Sequence, residues 1–203
     1  KKPPIFPPIV LILLFGFMTV FLIITKKDLL FDNPKDFYEL LQEGNLENET
    51  YVSIEIDAVF GNYAEMQHTV NFIPVGTDQY YMIWLDDDST ISICTKNKKV
   101  IKKLDEMTDA TWDYANGTTD ELPEAIVLKG VINTMDSEIA GFYKEAGDKS
   151  SISDYLTMKK TNIDCTETPF GMWCYLVFAA ALTICGIAML ITNIKKRKEW
   201  DTP

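Results

Sequence analysis

The chain has 203 residues, a hydrophobic fraction of 47% and a formal net charge of −11. These averages conceal two uncharged apolar runs, Pro3–Thr25 and Thr168–Ile194, separated by an acidic stretch. A surface this acidic repels phosphate groups, which argues against nucleic acid as a partner.

Both apolar runs are long enough to cross a bilayer, because a hydrocarbon core of roughly 30 Å requires about 20 helical residues. Residues 9–25 reach this length if residues 5–8 lie in the interface, as part of a cytoplasmic and interfacial N-terminus at 1–8. Residues 169–194 exceed it. Neither run shows the polar face of a soluble helix. We therefore predict two transmembrane helices, the first an uncleaved anchor because no small-residue cleavage motif follows it.

Flanking charges give the expected orientation. Two spans place both termini on one side of the membrane, and a cluster of cations directly follows the second span: Lys195, Lys196, Arg197 and Lys198. Counted with the two N-terminal lysines, six cations flank the spans on that side, against five on the other. Because the tail charges are clustered at the membrane edge, we expect a cytoplasmic basic tail at 195–203 and an extracytoplasmic domain at 26–168.

The intervening domain holds a net charge of −15, which repels anionic headgroups as well as nucleic acid. Its two cysteines are Cys94 and Cys165. In an oxidising compartment they are expected to form a disulfide that closes a loop of roughly 70 residues. The alternative is two small buried side chains whose geometry prevents the bond.

The domain begins with a predicted helix, Asp32–Gly44, capped by Asp32 or Asn33 and ended by glycine. Alternating apolar residues then predict four strands. These are Tyr51–Phe60, which Gly61-Asn62 ends, His68–Val75, Gln79–Leu85 and Thr90–Thr95, with a turn at Gly76–Asp78 before the third.

The pattern then changes to helical spacing over Asn97–Gly117. A buried strand with a glycine at 130 is predicted over Glu124–Thr134, followed by an amphipathic helix over Asp136–Gly147 and one further strand before the second span. This order predicts an α+β domain with mainly antiparallel strands. It fits an OB-like barrel and a generic α+β sandwich equally well.

Three consecutive aspartates, Asp86, Asp87 and Asp88, separate the third and fourth predicted strands. They are weak candidates for a metal site, because an EF-hand loop starting at Asp86 lacks both its turn glycine and its final glutamate. A polar hairpin turn explains them better, since aspartate and serine favour turns.

No catalytic motif is present in the sequence, and His68 is its one histidine. With 30 acidic residues in the chain, no pair of carboxylates points to acid–base catalysis. We therefore expect a non-enzymatic protein without a cofactor.

The chain has two apolar spans, a Lys-Lys-Arg-Lys stop and a domain of this size between the spans. In this layout it resembles small two-pass envelope proteins of bacteria. The resemblance implies a multi-pass protein of the cell membrane and carries over no functional residue. The leading hypothesis is a membrane-anchored binding or accessory protein, whose ectodomain contacts a protein or envelope component. Its partners would be the lipid bilayer and another membrane or envelope protein, such as a transporter, secretion or sensing complex. The alternatives are an envelope enzyme using Asp/Glu chemistry with a divalent cation, and a membrane immunity-type protein.

Overall fold

The computed structural model describes residues 2–70 and 73–201. The chain divides into two compact units. The first, here called the helical unit, comprises residues 1–32 and 169–203, and the second, here called the sheet domain, comprises residues 33–168.

The described elements are six α-helices, seven strands and one short 3-10 helix. In chain order they are α1 (Phe6–Thr25), α2 (Lys27–Phe31), β1 (Lys35–Asp36), α3 (Phe37–Glu43), β2 (Tyr51–Ile56), β3 (Val59–Val70), β4 (Ile73–Leu85), β5 (Ser89–Thr95), α4 (Lys98–Ala115), β6 (Ile126–Thr134), α5 (Ser137–Lys149), a 3-10 helix (Ile152–Asp154), β7 (Thr157–Asp164) and α6 (Pro169–Asp201).

In the helical unit, α1 packs against α6. Gly186 lies so close to α1 that an added methyl group would be 2.9 Å from Cγ1 of Ile12. Near the start of α1 and the end of α6, Nδ2 of Asn193 donates a hydrogen bond to the carbonyl oxygen of Pro4 at 2.7 Å. The two helices therefore run antiparallel. Both helices are long and apolar enough to cross a membrane.

The two predicted spans are confirmed as helices, with different ends. The first helix begins three residues early, at Phe6, because prolines in the first turn sacrifice no intrahelical hydrogen bond. The second continues through the basic residues 195–198 to Asp201, since lysine and arginine are good helix formers.

The sheet domain contains one open sheet of seven strands, in the order β1-β2-β6-β7-β5-β4-β3. The β1–β2 and β5–β7 pairs are parallel, and the other four are antiparallel. The α+β class is confirmed, but the sheet is mixed and its end strands, β1 and β3, do not pair with each other. The OB-like barrel is therefore not confirmed.

Two apolar layers cover the two faces of this sheet. Leu104 and Met107 of α4 and Phe37 of α3 pack on one face against strand residues such as Ile93. On the other face, Ile139 of α5 and the 3-10 helix pack against Met82 and its neighbours. Alternate residues of each strand point to opposite faces, so both layers are built from the same strands.

Two predicted strands are each divided between two strands of the structure: Tyr51–Phe60 between β2 and β3, and His68–Val75 between β3 and β4. Three predicted boundaries were also wrong. Asp36, and neither Asp32 nor Asn33, caps α3, because its carboxylate accepts hydrogen bonds from the backbone N–H groups of Tyr38 and Glu39. Gly61 does not end a strand, since β3 absorbs it as an irregularity in the register at a φ of +124°.

The third concerns the predicted turn at Gly76, which instead lies inside β4, paired with His68. The pairing of β3 with β4 is described up to Val70 and Ile73, and residues 71–72 lie outside the described residues. The helices α4 and α5 and the strand β6 are confirmed, with ends shifted by at most two residues, and the further strand predicted before the second span is β7.

Candidate functional site: an acidic aromatic groove

The turn at Asp86–Asp88 joins β4 to β5, so the hairpin interpretation is confirmed. Asp88 has a φ of +55°, in the left-handed region that closes three-residue hairpin loops. The Asp87 carboxylate accepts hydrogen bonds from Ser89 and from Nζ of Lys159. Asp86 and Asp88 line a neighbouring cavity instead. The described residues contain no group of three His, Cys, Asp or Glu side chains positioned to hold a metal ion.

Aromatic side chains from β3, β4 and α4 meet beside this turn. Phe60 stacks on Trp84 with ring centroids 5.5 Å apart and contacts Trp112 at 5.3 Å. Tyr114 also contacts Trp84, with ring centroids 6.1 Å apart. Such pairs add stabilisation beyond the area that they bury.

Two hydrogen bonds fix α4 against β3 at this point. The indole N–H of Trp112 donates to the carbonyl oxygen of Phe60 at 3.1 Å. The backbone N–H of Val59 donates to Oγ1 of Thr111 at 2.9 Å, and Thr111 is fully buried. The aromatic cluster is therefore held in place by the fold, which preorganises it for binding.

Two cavities flank Trp84 and share it as a wall. The smaller, of about 150 Å³, is lined by Asp57, Ala58, Trp84, Leu85, Asp86, Asp88, Tyr114 and Leu122. The larger, of about 320 Å³, is lined by Phe60, Trp84, Trp112, Ala115, Asn116, Ser150, Ser151, Ile152, Tyr155 and Leu156. Together these residues form what we call the acidic–aromatic groove.

The groove concentrates the exposed apolar surface of the sheet domain. Among the described residues of this domain, four large apolar side chains are exposed: Leu122, Val127, Phe142 and Tyr155. Two of the four line the groove, and Tyr155 is the most exposed of them, at 83%. Exposed aromatic surface beside a cavity is typical of binding sites.

Three of the residues that line the smaller cavity are aspartates, and two of them influence the pKa values of groups near it. Partial burial, reinforced by the nearby carboxylates of Asp86 and Glu55, raises the pKa of the Asp57 carboxyl above its ordinary value. Burial and the same two aspartates, Asp86 and Asp57, raise the pKa of Tyr38. Burial is the larger cause of both shifts, and the neighbouring carboxylates add to it because like charges at close range disfavour ionisation.

The structure does not form the predicted Cys94–Cys165 disulfide, and both residues are free thiols. The backbone N–H of Cys165 donates to the carbonyl oxygen of Cys94 at 2.8 Å, so the two residues are neighbours in the sheet. However, Cys94 is in register with Asp164, and Cys165 is one residue further on. Successive side chains point to opposite faces, which separates the thiols. Burial raises the pKa of both, to about 12 for Cys165.

The other residues singled out in the sequence lie elsewhere. His68 is in the hairpin formed by β3 and β4, where its Nε2 lies 2.7 Å from Oδ2 of Asp78. The basic residues 195–198 belong to α6 of the helical unit, where Nε of Arg197 donates to the carbonyl oxygen of Pro3 at 2.9 Å.

Sequence reasoning identified the aspartates of the turn but missed the aromatic part of the groove. Phe60, Trp84 and Trp112 are far apart in the chain and come together only through the β3–β4 pairing and the packing of α4. One signal was available: tryptophan is infrequent in this chain, and two of its four tryptophans lie in predicted elements of the domain.

With this geometry described, the comparison with protein families gives one match. The chain belongs to the family of the domain of unknown function DUF8577, whose sequence model matches residues 8–192. The matched range contains the whole sheet domain and most of α1 and α6. No curated protein matches the sequence.

Proposed function

We propose that this protein is a membrane-anchored binding or accessory protein of the cell membrane. Its two apolar helices span the bilayer, both termini are cytoplasmic, and the acidic sheet domain lies outside the cytoplasm. There the domain contacts a protein or envelope component, as part of a transporter, secretion or sensing complex.

The acidic–aromatic groove is the observation that carries this proposal. It combines an exposed aromatic side chain, Tyr155, with two cavities and a rigid cluster around Trp84. Aromatic residues dominate the binding energy of protein interfaces because they bury a large area at a low cost in conformational entropy.

The exposed side chains of the helical unit support the proposal that its two helices span a membrane. Its large apolar side chains point outward, with Phe17 73% and Phe170 80% exposed. Only an apolar medium covers such surfaces favourably along a helix that is apolar on all sides.

Cross-linking in the native cells followed by purification of the tagged full chain in mild detergent tests the proposal. We expect a defined second protein to be recovered in a fixed ratio to the chain. A tagged two-pass membrane protein of the same length, expressed at the same level, is the control. Recovery of the chain alone in every preparation would contradict the proposal, as would an identical set of proteins with the control.

A further inference from the structure

We propose that the acidic–aromatic groove binds a lysine or arginine side chain of a partner protein, within a segment that places an apolar side chain beside it. This inference rests on the proposed function and specifies the chemistry of the partner's segment.

The size of the smaller cavity favours a side chain over a free small molecule. Small-molecule sites typically enclose about 300–1,000 Å³. The smaller cavity, of about 150 Å³, is below this range and suits a single side chain. The larger one, of about 320 Å³, is also lined by Trp84 and has an apolar wall of Phe60, Trp112 and Leu156. An extended segment crossing Trp84 would therefore place one side chain in each.

The charges of the smaller cavity require a cation. Asp57, Asp86 and Asp88 line it, and none of them forms an ion pair with another described residue. Asp87 of the same turn is already paired with Lys159 and does not line the cavity. The negative charge in the groove is therefore uncompensated, and a positively charged partner is electrostatically complementary to it.

The aromatic walls distinguish an organic cation from a metal ion. Trp84 and Tyr114 line the same cavity as the carboxylates. Aromatic faces attract lysine and arginine through cation–π interactions, and the methylene stems of these side chains cover apolar surface. A hard metal ion would gain nothing from the two rings.

A second copy of the chain is the competing occupant, because α4 begins within a basic patch. Its members are Lys96, Lys98, Lys99, Lys102 and Lys103. However, each sheet domain carries 26 acidic and 11 basic side chains, and two domains of net charge −15 repel each other. A different protein with a basic segment avoids this repulsion.

Fluorescence anisotropy of a labelled peptide measures the binding directly. The full chain, in micelles of a non-ionic detergent, is titrated into a peptide of alternating arginine and leucine, with empty micelles as background. Two matched peptides carry glutamine or glutamate in place of arginine. We expect the arginine peptide to bind at least about tenfold more tightly than either, with an affinity that falls as salt is added.

Variants then locate the binding in the groove. The double variant Asp57→Asn/Asp86→Asn is expected to bind the arginine peptide about tenfold more weakly, about threefold for each exposed charge pair lost. Its control is Glu43→Gln/Glu47→Gln, which makes the same charge change in the segment before Tyr51, at the opposite end of β2 from Asp57. We expect the control to stay within about twofold of the native chain. Tyr114→Leu keeps an apolar wall but removes the ring, and should weaken binding about two- to fivefold.

Several results would overturn the inference: no binding of the arginine peptide, equal binding of the glutamine peptide, or equal weakening by the control variant. Self-association of the full chain that the Asp57→Asn/Asp86→Asn variant abolishes, with no peptide binding, would assign the groove to a second copy instead. A cellular partner recovered in unchanged yield with that variant would leave the proposed function in place and remove only this inference.

Discussion

The two units of this protein differ in where they place apolar side chains. The sheet domain buries them, and the helical unit exposes them. In the sheet domain Phe37 and Ile93 have no exposed surface, whereas Phe17 of α1 and Phe170 of α6 are 73% and 80% exposed. The difference lies in the sequence pattern. Apolar residues in the domain alternate with polar ones, whereas those of the spans continue around the whole helix.

This comparison shows that the two units are stabilised in different ways. The domain gains its stability by removing apolar area from water. The helical unit leaves that area exposed and holds itself together through close approach, as at Gly186 and Ile12. In lipid, where burial of apolar area gives no advantage, small residues and tight packing provide the association.

Truncation of an apolar side chain should therefore have very different effects in the two units. Ile93→Ala empties part of a fully buried layer and is expected to lower the free energy of unfolding of the sheet domain by about 4 kcal/mol. Phe17→Ala removes an outward-facing ring and should change that value by less than about 0.5 kcal/mol. Urea-dependent proteolysis of the full chain in detergent measures both. Similar losses would remove the distinction between the units.

Close approach of backbones also occurs within the domain, at Gly130. A methyl group added there would lie 2.7 Å from the carbonyl oxygen of Asp164, which cannot move without displacing β7. We expect Gly130→Ala to destabilise the domain by about 3 kcal/mol.

Gly141→Ala is the matched control for this substitution, because no atom lies within 4 Å of its added methyl group. In the middle of α5 it should stabilise the domain by about 0.5–1 kcal/mol. If Gly130→Ala changed the free energy of unfolding, measured in urea, in the same direction as Gly141→Ala, β6 and β7 would approach each other less closely than the structure shows.

The ion pair between Asp87 and Lys159 should have a smaller effect that depends on pH. Partial burial opposes ionisation of Asp87, but hydrogen bonds from Lys159 and Ser89 outweigh it and lower the pKa of this carboxyl. An acid whose pKa is lower in the folded state stabilises the fold above its unfolded pKa, and this contribution is lost as the pH falls through the folded value.

Lys159→Met should thus cost less than about 1 kcal/mol at pH 7, because both partners are partly exposed to solvent. The difference from the native chain should shrink below a pH of about 4, the ordinary pKa of an aspartate, and disappear as the pH falls below the lowered folded pKa of Asp87, in urea unfolding measured across the acid range. A difference that stays constant with pH would mean that the methylene stem of Lys159, and not its charge, contributes the stability.

The smallest expected effect concerns the two thiols of the sheet domain. Folding is expected to change their reactivity, and the measurement compares the folded chain with the denatured chain. In a chain with Cys174 and Cys185 replaced, denaturation without reductant should expose two labelled thiols. In the folded chain both should react slowly, since burial raises the pKa of Cys94 and Cys165 and the thiolate is the reactive form. The absence of labelled thiols after denaturation would restore the disulfide predicted from the sequence.

Local sequence signals predicted most of the fold. The two spans, the helices α4 and α5 and the β4–β5 hairpin follow from apolar periodicity and from turn residues such as Asp88. The position of β7 between β6 and β5 could not be predicted, because it depends on pairing between residues far apart in the chain. Dependence on distant pairing also explains why the predicted disulfide was wrong. Only the register of Cys94 with Asp164 shows that the two thiols point to opposite faces.

The candidate site divides in the same way. The sequence marked Asp86 and Asp88 as part of an unusual acidic turn. It contained no signal that Trp84 and Tyr114, which are thirty positions apart, form the walls of one cavity. Composition therefore predicted an acidic surface, and only the packing of α4 on the sheet shows where that surface is concave.

Labelling of single cysteines in intact cells tests the central claim most directly, namely that the two helices span the membrane with the sheet domain outside the cytoplasm. In a chain without its native cysteines, Ser153→Cys marks an exposed position of the domain and Glu199→Cys marks the basic tail. A membrane-impermeant maleimide should label the Cys at 153 in intact cells and the Cys at 199 only after permeabilisation. Labelling of the tail with protection of the domain, or equal labelling of both, would contradict the account.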